Sequence, residues 1–219
     1  MSHTVHPYSH RLGIIRDWKS RWFGMNKKYR DYLKADIMIR GYIEKRLVGM
    51  FVAGVDIERN DKLFKIVIKT SRPGMIIGRS GEGAEKLRKD VNAYMVKNKI
   101  DNPKITVKID IEEVRSPESD AQLVGLMVKD SLEKRMPFRR VLKQTVEKVM
   151  ANREVKGVRI KLGGRLNGAD MARTEQIKRG RIPLQTFRAD IDFARIKAAI
   201  PQGDLGIKVW IYRGDIFDK

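Results

Sequence analysis

Residues 72–88 read Arg-Pro-Gly-Met-Ile-Ile-Gly-Arg-Ser-Gly-Glu-Gly-Ala-Glu-Lys-Leu-Arg and contain a Gly-x-x-Gly turn, Gly78-Arg79-Ser80-Gly81, between two short helical patterns. Two glycines without Cβ let the backbone come close to a sugar-phosphate chain. Arg79 adds a positive charge there and Ser80 a hydrogen-bond donor. The helix after the turn directs free N–H groups and its positive dipole end toward a phosphate. The stretch therefore predicts a clamp for a nucleic-acid backbone.

The same turn has a second interpretation, in which the glycines only let two helices pack tightly. The turn alone does not separate these two interpretations. Two kinds of nucleotide site are excluded. The glycines run Gly-x-x-Gly-x-Gly, which reverses the dinucleotide-binding order, and they follow a short helix rather than a strand. No Gly-Lys-Ser/Thr occurs in the sequence, so there is no P-loop.

The segments around the turn decide between the two interpretations. A helix with apolar spacing from Ile39 to Leu47 comes first, with Asp36 as its predicted N-cap. The strand signals are two runs joined by a turn at Asn60-Asp61, and one alternating run after the clamp: 51–58, 63–69 and 105–111. The order α-β-β-α-α-β is the topology of a type II KH domain, a module that grips about four nucleotides of single-stranded nucleic acid.

The second half of the chain has its own pattern. Ser116 and Pro117 mark a boundary, and we expect Ser116 to cap a helix with Pro at its first position. Two amphipathic helices follow, and then a strand around Ile160. After the Gly-rich segment 163–168 the sequence indicates a helix-like stretch to about Arg179, and then two more strands. We therefore predict an α+β chain: an arm, a type II KH domain, and a second α+β domain with two helices packed on a mostly antiparallel sheet, over residues 1–16, 17–115 and 116–219.

Charge identifies the class of partner. The 219-residue chain has a net charge of +20, and residues 134–188 hold 16 Lys and Arg against four acidic residues. Such a concentration is typical of a nucleic-acid footprint. The chain has no cysteine, which excludes disulfides and thiolate metal sites and is compatible with a cytoplasmic location. No apolar run approaches the ~20 residues of a membrane span, so we predict no membrane partner.

The N-terminal arm holds three histidines, at positions 3, 6 and 10, without a nearby carboxylate or cysteine. We expect a solvated or RNA-contacting tail there and predict no metal and no cofactor. Trp18, Trp22 and Phe23 lie among basic residues. They either stack on bases or anchor the arm to the core, and we favour anchoring.

Taken together, these residues resemble one family, the S-three family of bacterial small-subunit (30S) ribosomal proteins, over essentially the whole chain. The matching segments are the arm, the clamp, a basic helix and three C-terminal blocks: Val5-His-Pro7 with Arg11-Leu-Gly13, 72–88, Phe138-Arg-Arg140 with Lys143, 164–175, 180–192 and 206–211. The sequence departs from the family pattern at Ser9, Asn167, Gln176 and Gln185. Asn167 tolerates the left-handed backbone of the glycine it replaces.

The resemblance implies a non-catalytic protein that binds 16S rRNA in the head of the small subunit and helps to position mRNA where it enters. Its neighbours would be the S-ten and S-fourteen proteins, with S-two nearby and S-four and S-five across the mRNA entrance. We assign the clamp to Gly78, Arg79, Ser80 and Gly81, and mRNA contact to Arg139, Arg140 and Lys143. The predicted rRNA contacts are arginines of the arm and the C-terminal blocks: Arg11, Arg165, Arg173, Arg179, Arg181 and Arg188. We expect two of the last five to pair with acidic residues within the fold.

Two other classes of protein stay open at this point. A free-standing KH regulator or elongation factor would lack the C-terminal blocks. An enzyme acting on nucleic acid would need a carboxylate or a lysine of altered pKa. Asp190 and Asp192 form an obvious carboxylate pair, but we expect them to pair with Arg188 and Arg195.

Overall fold

The chain divides into two compact units. The computed structural model describes residues 5–60, 63–98, 100 and 106–217; the predicted features at His3, Asp61 and Ile105 lie outside these residues. One unit is Trp18–Arg115, and the other joins Met1–Asp17 to Ser116–Lys219. The arm, which we had separated as residues 1–16, is therefore grouped with the second half of the chain and not with the segment that follows it.

The described residues of the unit Trp18–Arg115 form three helices and a four-stranded sheet in the order β1-β2-β3-β4. Its elements are β1 Ser20–Arg21, α1 Asn26–Arg46, β2 Val52–Arg59, β3 Leu63–Thr70, α2 Pro73–Ile77, α3 Glu82–Lys97 and β4 Thr106–Glu113. β2 and β3 are antiparallel, whereas β3 pairs with β4 and β1 with β2 in parallel. The predicted type II KH order is confirmed, with the short β1 as an added edge strand.

Alternate apolar residues of β3 form the centre of the core of this unit. Phe64, Ile66 and Ile68 are buried on one face, where Ile39 of α1 and Val91 of α3 pack against them. Burying one such side chain contributes about 1.5–3 kcal/mol, so this shared core holds α2 and α3, and with them the turn, against the sheet.

The predicted N-cap of α1 was wrong. The helix begins at Asn26, and Asp36 lies inside it with 5% of its surface exposed. The Asp36 carboxylate accepts a hydrogen bond from Trp22 Nε1 at 3.3 Å and pairs with Arg40 at 3.3 Å. A tertiary partner therefore satisfies a side chain that on its own favours a helix end.

The second unit places two helices on one face of an antiparallel sheet, as predicted. Its elements are α4 Ala121–Glu133, α5 Phe138–Met150, β5 Gly157–Gly164, β6 Arg173–Gly180, β7 Ala189–Ile200 and β8 Gly203–Asp215, in the sheet order β6-β5-β8-β7. The inward residues of β5 are Val158, Ile160 and Leu162, and they pack with the buried faces of α4 and α5. Among the described residues of both units, four single turns of 3-10 helix lie outside the helices and strands, at Ser9–Arg11, Arg79–Gly81, Pro117–Ser119 and Leu166–Gly168.

Two local predictions in this unit were wrong. Ser116 does not cap α4: residues Pro117–Ser119 form a 3-10 turn, and Asp120 caps the helix by accepting from the N–H groups of Gln122 and Leu123. The helix-like stretch before Arg179 contains the edge strand β6, which pairs with β5 along its whole length. Only Ile177 of β6 packs against the core, so no apolar stripe supports a helix there.

Candidate nucleic-acid interface

Three of the four residues of the clamp turn, which lies between α2 and α3, have left-handed φ angles. Gly78, Ser80 and Gly81 have φ angles of 70°, 53° and 85°. Glycine adopts such angles without strain, whereas Ser80 carries a small conformational cost. An added Cβ at Gly81 would meet nothing within 4 Å, so this glycine is required by its backbone angle and not by packing.

A third glycine, Gly83, explains how close α2 and α3 lie. An added Cβ there would stand 2.5 Å from the carbonyl oxygen of Ile76 and 2.9 Å from that of Ile77. Tight helix packing, the second interpretation of this stretch, is thus the role of Gly83. We had not assigned a role to this residue, although the Gly-x-x-Gly-x-Gly spacing contained the signal.

The tip of the turn is open to a ligand. Gly78, Arg79 and Ser80 are exposed, and the Arg79 side chain forms no ion pair or hydrogen bond within the described part of the chain. Exposed Glu82 and Glu85 occupy the first turn of α3, where they stabilise the helix dipole. Positive charge for a phosphate at this site therefore comes from Arg79, since the two carboxylates offset the field of the helix end.

α5 separates an apolar face from a basic one. Phe138, Val141, Leu142, Val146 and Val149 are buried, whereas Arg139, Arg140 and Lys143 are exposed. Arg140 and Lys143 have no ion-pair partner among the described residues. Arg139 does: its guanidinium lies 3.3 Å from the Glu175 carboxylate on β6. Glu175 is far from α5 in the sequence, so the spacing of residues along the helix does not reveal this carboxylate.

The five predicted C-terminal arginines fall into two groups. Arg165 lies 3.4 Å from Asp170, Arg173 lies 3.6 Å from Glu175, and Arg188 lies 3.9 Å from Asp215. We expected two of the five to pair with acidic residues, and the structure shows three such pairs. Arg179 and Arg181 are exposed and form no ion pair with any described residue.

Arg11 has an internal position, which corrects its prediction as an rRNA contact. Its side chain is fully buried and donates to four carbonyl oxygens: from Nε to Ala189 at 2.6 Å, and from its terminal nitrogens to Pro7 at 2.9 Å, Thr186 at 2.9 Å and Leu184 at 3.2 Å. Burial lowers the pKa of this guanidinium and is its largest influence. Since no surface of Arg11 is exposed, it is not available to RNA, and its role is to fasten the arm to the second unit.

The carboxylates considered for catalysis have structural partners. Asp190 pairs with Arg16 and Arg213, and Asp192 pairs with Arg213 at 3.3 Å. The predicted partners Arg188 and Arg195 were wrong, because the arm and β8 come closer. Asp192 also accepts from the N–H of Ala121 at 2.8 Å.

Asp120 is the one described acid whose pKa is markedly raised. Burial, and then the nearby charge of Asp192, raise the pKa of Asp120 to about 6. The carboxylates of Asp120 and Asp192 lie close together because both accept hydrogen bonds from N–H groups at the N-terminus of α4. No group of three potential ligands that could hold a metal occurs among the described residues.

The three aromatic residues after the arm, Trp18, Trp22 and Phe23, differ in their surroundings. Trp22 anchors the segment before α1 and not the arm, since it donates a hydrogen bond to Asp36 and its ring packs edge-on against Tyr32 at 5.8 Å. Trp18 and Phe23, in contrast, are 58% and 83% exposed. None of the described helices is both long and apolar enough to cross a membrane.

Comparison with known proteins agrees with this architecture. Residues 38–119 match a family model described as the KH domain, and residues 128–211 match one described as the C-terminal domain of ribosomal protein S3. The chain is similar to the small ribosomal subunit protein uS3 of Caldicellulosiruptor saccharolyticus, with 45% identity over 100% of this chain and 95% of the relative.

The uS3 proteins of Alcanivorax borkumensis and Endomicrobium trichonymphae are similar as well. Their identities are 45% and 43%, over 99% and 100% of this chain and 90% of each relative. These relatives are named as ribosomal proteins and not as enzymes, which confirms the prediction of a non-catalytic protein. With this identity along its full length, the chain belongs to the uS3 family of small ribosomal subunit proteins.

Proposed function

We propose that this chain is a structural, RNA-binding component of the small ribosomal subunit that binds 16S rRNA in the subunit head and contacts mRNA where it enters. Family membership and the net charge of +20 support the ribosomal role. The observation that carries the RNA-binding part is the clamp. Its left-handed backbone, its exposed tip and its unpaired Arg79 together form a site that accepts a sugar-phosphate chain.

The basic face of α5 supports the contact with mRNA. Arg140 and Lys143 project into solvent without partners among the described residues, and the opposite face of the helix is committed to the core. The exposed pair between Arg139 and Glu175 is worth only about 0–1 kcal/mol, so a phosphate can replace the carboxylate. All three side chains therefore remain assigned to mRNA.

The same reasoning retains the five C-terminal arginines as rRNA contacts. Arg179 and Arg181 are unpaired among the described residues, and the ion pairs of Arg165, Arg173 and Arg188 have an exposed arginine. Arg11 is withdrawn from this set because it is buried. The neighbours that we propose are the S-ten and S-fourteen proteins, with S-two nearby and S-four and S-five across the mRNA entrance.

The clamp is tested by the double substitution Arg79→Asp and Ser80→Asp. Asp tolerates the left-handed angle of residue 80, and both glycines remain, so the fold is retained. We expect weaker binding of single-stranded RNA by the purified protein. The log-log salt slope should also decrease by about 0.7 for each phosphate that the variant no longer binds.

A matched control exists in the same unit. Asn26→Asp with Lys27→Asp makes the same change in net charge and also places Asp at a left-handed residue, at the start of α1, where acidic residues suit the helix dipole. This control should bind single-stranded RNA nearly as the original protein does. Equal losses in both double variants would show that only net charge matters and would exclude the clamp.

A further inference from the structure

The sheet of the second unit has one face without a helix layer. Partnered residues of adjacent antiparallel strands lie on the same face, and α4 and α5 cover the face that carries Ile160. On the other face, the row Gly180-Gly157-Tyr212-Ile191 borders an apolar cluster with Ile182 and Leu184, and Asp204 lies at the far end opposite Ala199. The three rows between them cross β6, β5, β8 and β7, and we call them the open sheet face: Lys178-Arg159-Trp210-Phe193, Gln176-Lys161-Lys208-Arg195 and Thr174-Gly163-Gly206-Lys197.

This face is basic and largely unneutralised. Six of its twelve residues are Lys or Arg and none is acidic. Lys197 pairs with Asp204 at 2.6 Å, and Arg159 donates to the Gln176 side chain at 3.0 Å. The other four cations form no ion pair or side-chain hydrogen bond with any described residue: Lys161, Lys178, Arg195 and Lys208.

These cations lie so close together that their mutual repulsion destabilises the protein when no polyanion is bound. Neighbouring strands lie about 4.8 Å apart and alternate residues of a strand about 6.7 Å apart, so Lys161, Lys208 and Arg195 form a row of like charges on adjacent strands. Like charges in cross-strand pairs are destabilising. A row of this kind is compensated when a polyanion binds along it.

The aromatic residues of the face decide which polyanion fits. Sheets that bind single strands stack bases on exposed aromatic rings. Here Trp210 is 3% exposed beneath the Arg159 guanidinium, 5.0 Å from its ring centre, and Phe193 is covered by the His6 ring of the arm at 4.6 Å. The face offers no ring for stacking. Gly163 and Gly206, partnered in the third row, leave a shallow strip without side chains.

We propose that the open sheet face binds the phosphate backbone of a double-helical RNA segment. Double-stranded RNA is recognised through its shape, phosphates and 2′-hydroxyls, which needs charge and a shallow surface but no stacking. This inference rests on the proposed function for the identity of the polyanion and deepens it, because it adds a surface for duplex RNA with residues that neither the clamp nor α5 uses.

The test uses the full chain and two probes: a blunt RNA duplex of about 20 base pairs, longer than one double-strand-binding module covers, and polyuridine. The variant is Lys161→Gln with Arg195→Gln and Lys208→Gln. We expect at least a tenfold loss of duplex affinity and a salt slope lower by about 2–3, at ~0.9 per neutralised phosphate. Binding of polyuridine through the clamp should change less than threefold.

A control variant removes three cations that lie outside the open sheet face, Lys129→Gln, Lys134→Gln and Arg153→Gln, and should keep its duplex affinity within threefold. Equal losses in the two triple variants would overturn the proposal, as would a duplex affinity that the sheet substitutions leave unchanged. A protein that binds polyuridine through the clamp but ignores the duplex would refute this inference alone. A protein that binds neither RNA would instead contradict the proposed function.

Discussion

Arg11→Ala should destabilise the second unit strongly. The wild-type guanidinium is fully buried and donates to the carbonyl oxygens of Pro7, Leu184, Thr186 and Ala189, at 2.6–3.2 Å. It therefore joins the arm to the segment before β7. Truncation removes all four bonds together and leaves the carbonyls without this donor.

The magnitude follows from the number of acceptors. A buried acceptor that loses its donor costs about 1–3 kcal/mol, and entering water satisfies part of the set, so we expect a loss of about 3–5 kcal/mol in the free energy of unfolding. Arg11→Lys keeps the charge, but a single ammonium cannot reach acceptors arranged around a planar fork. The lysine variant should recover less than half of the loss.

Urea unfolding of the purified variants, followed by circular dichroism, measures these differences, with single-stranded RNA affinity measured in parallel. Two folded units need not unfold together, so fluorescence is recorded as well, with Trp18 and Trp22 of the other unit replaced by Phe in every variant. The transition in which the fluorescence of Trp210 changes is then the relevant one. If Arg11→Ala unfolds at the wild-type urea concentration while its RNA affinity falls, Arg11 contacts RNA and the internal role assigned to it is wrong.

Three further predictions concern other elements. Gly83→Ala should cost about 1–3 kcal/mol in urea unfolding, because its Cβ would meet backbone carbonyls of α2, whereas Gly74→Ala, with open space around it, should be neutral. Asp120→Asn keeps an N-cap acceptor and removes an acid of raised pKa. Between about pH 4 and 6, Asp120 is protonated more often in the folded than in the unfolded wild type. The stability of the wild type relative to this variant should therefore fall as pH rises over that range, by on the order of 1–2 kcal/mol. An unchanged difference in stability across the range would contradict the raised pKa. Arg140→Gln with Lys143→Gln should leave assembly intact and slow translation through a downstream hairpin more than through unstructured message; equal rates on both would contradict the mRNA contact.

The KH topology could be predicted from sequence because its signals are local. Alternation in β3 and β4, the turn at Gly78–Gly81 and the spacing of α3 all lie within short windows. The amphipathic face of α5 was predicted for the same reason, and every one of its five apolar residues is buried. The spacing of apolar residues in these segments shows which face is buried, so it can be recognised from the sequence alone.

The errors share a different cause, which is a distant partner. An arginine in a basic arm suggests RNA, and the carbonyls that enclose Arg11 come mostly from residues 184–189. Asp36 suggests a helix cap until Trp22 and Arg40 are placed beside it. β6 is polar and basic, and only its pairing with β5 makes it a strand. Polar groups reveal little about burial until their partners are known.

Sedimentation tests the central claim most directly. The tagged chain is expressed at low level in a bacterium beside the resident protein, and small subunits are separated on a sucrose gradient at high salt. We predict that the chain co-sediments with the small subunit and remains there after the salt wash, as a structural component would. A chain found only at the top of the gradient, while the resident protein stays with the subunits, would contradict the proposed ribosomal role.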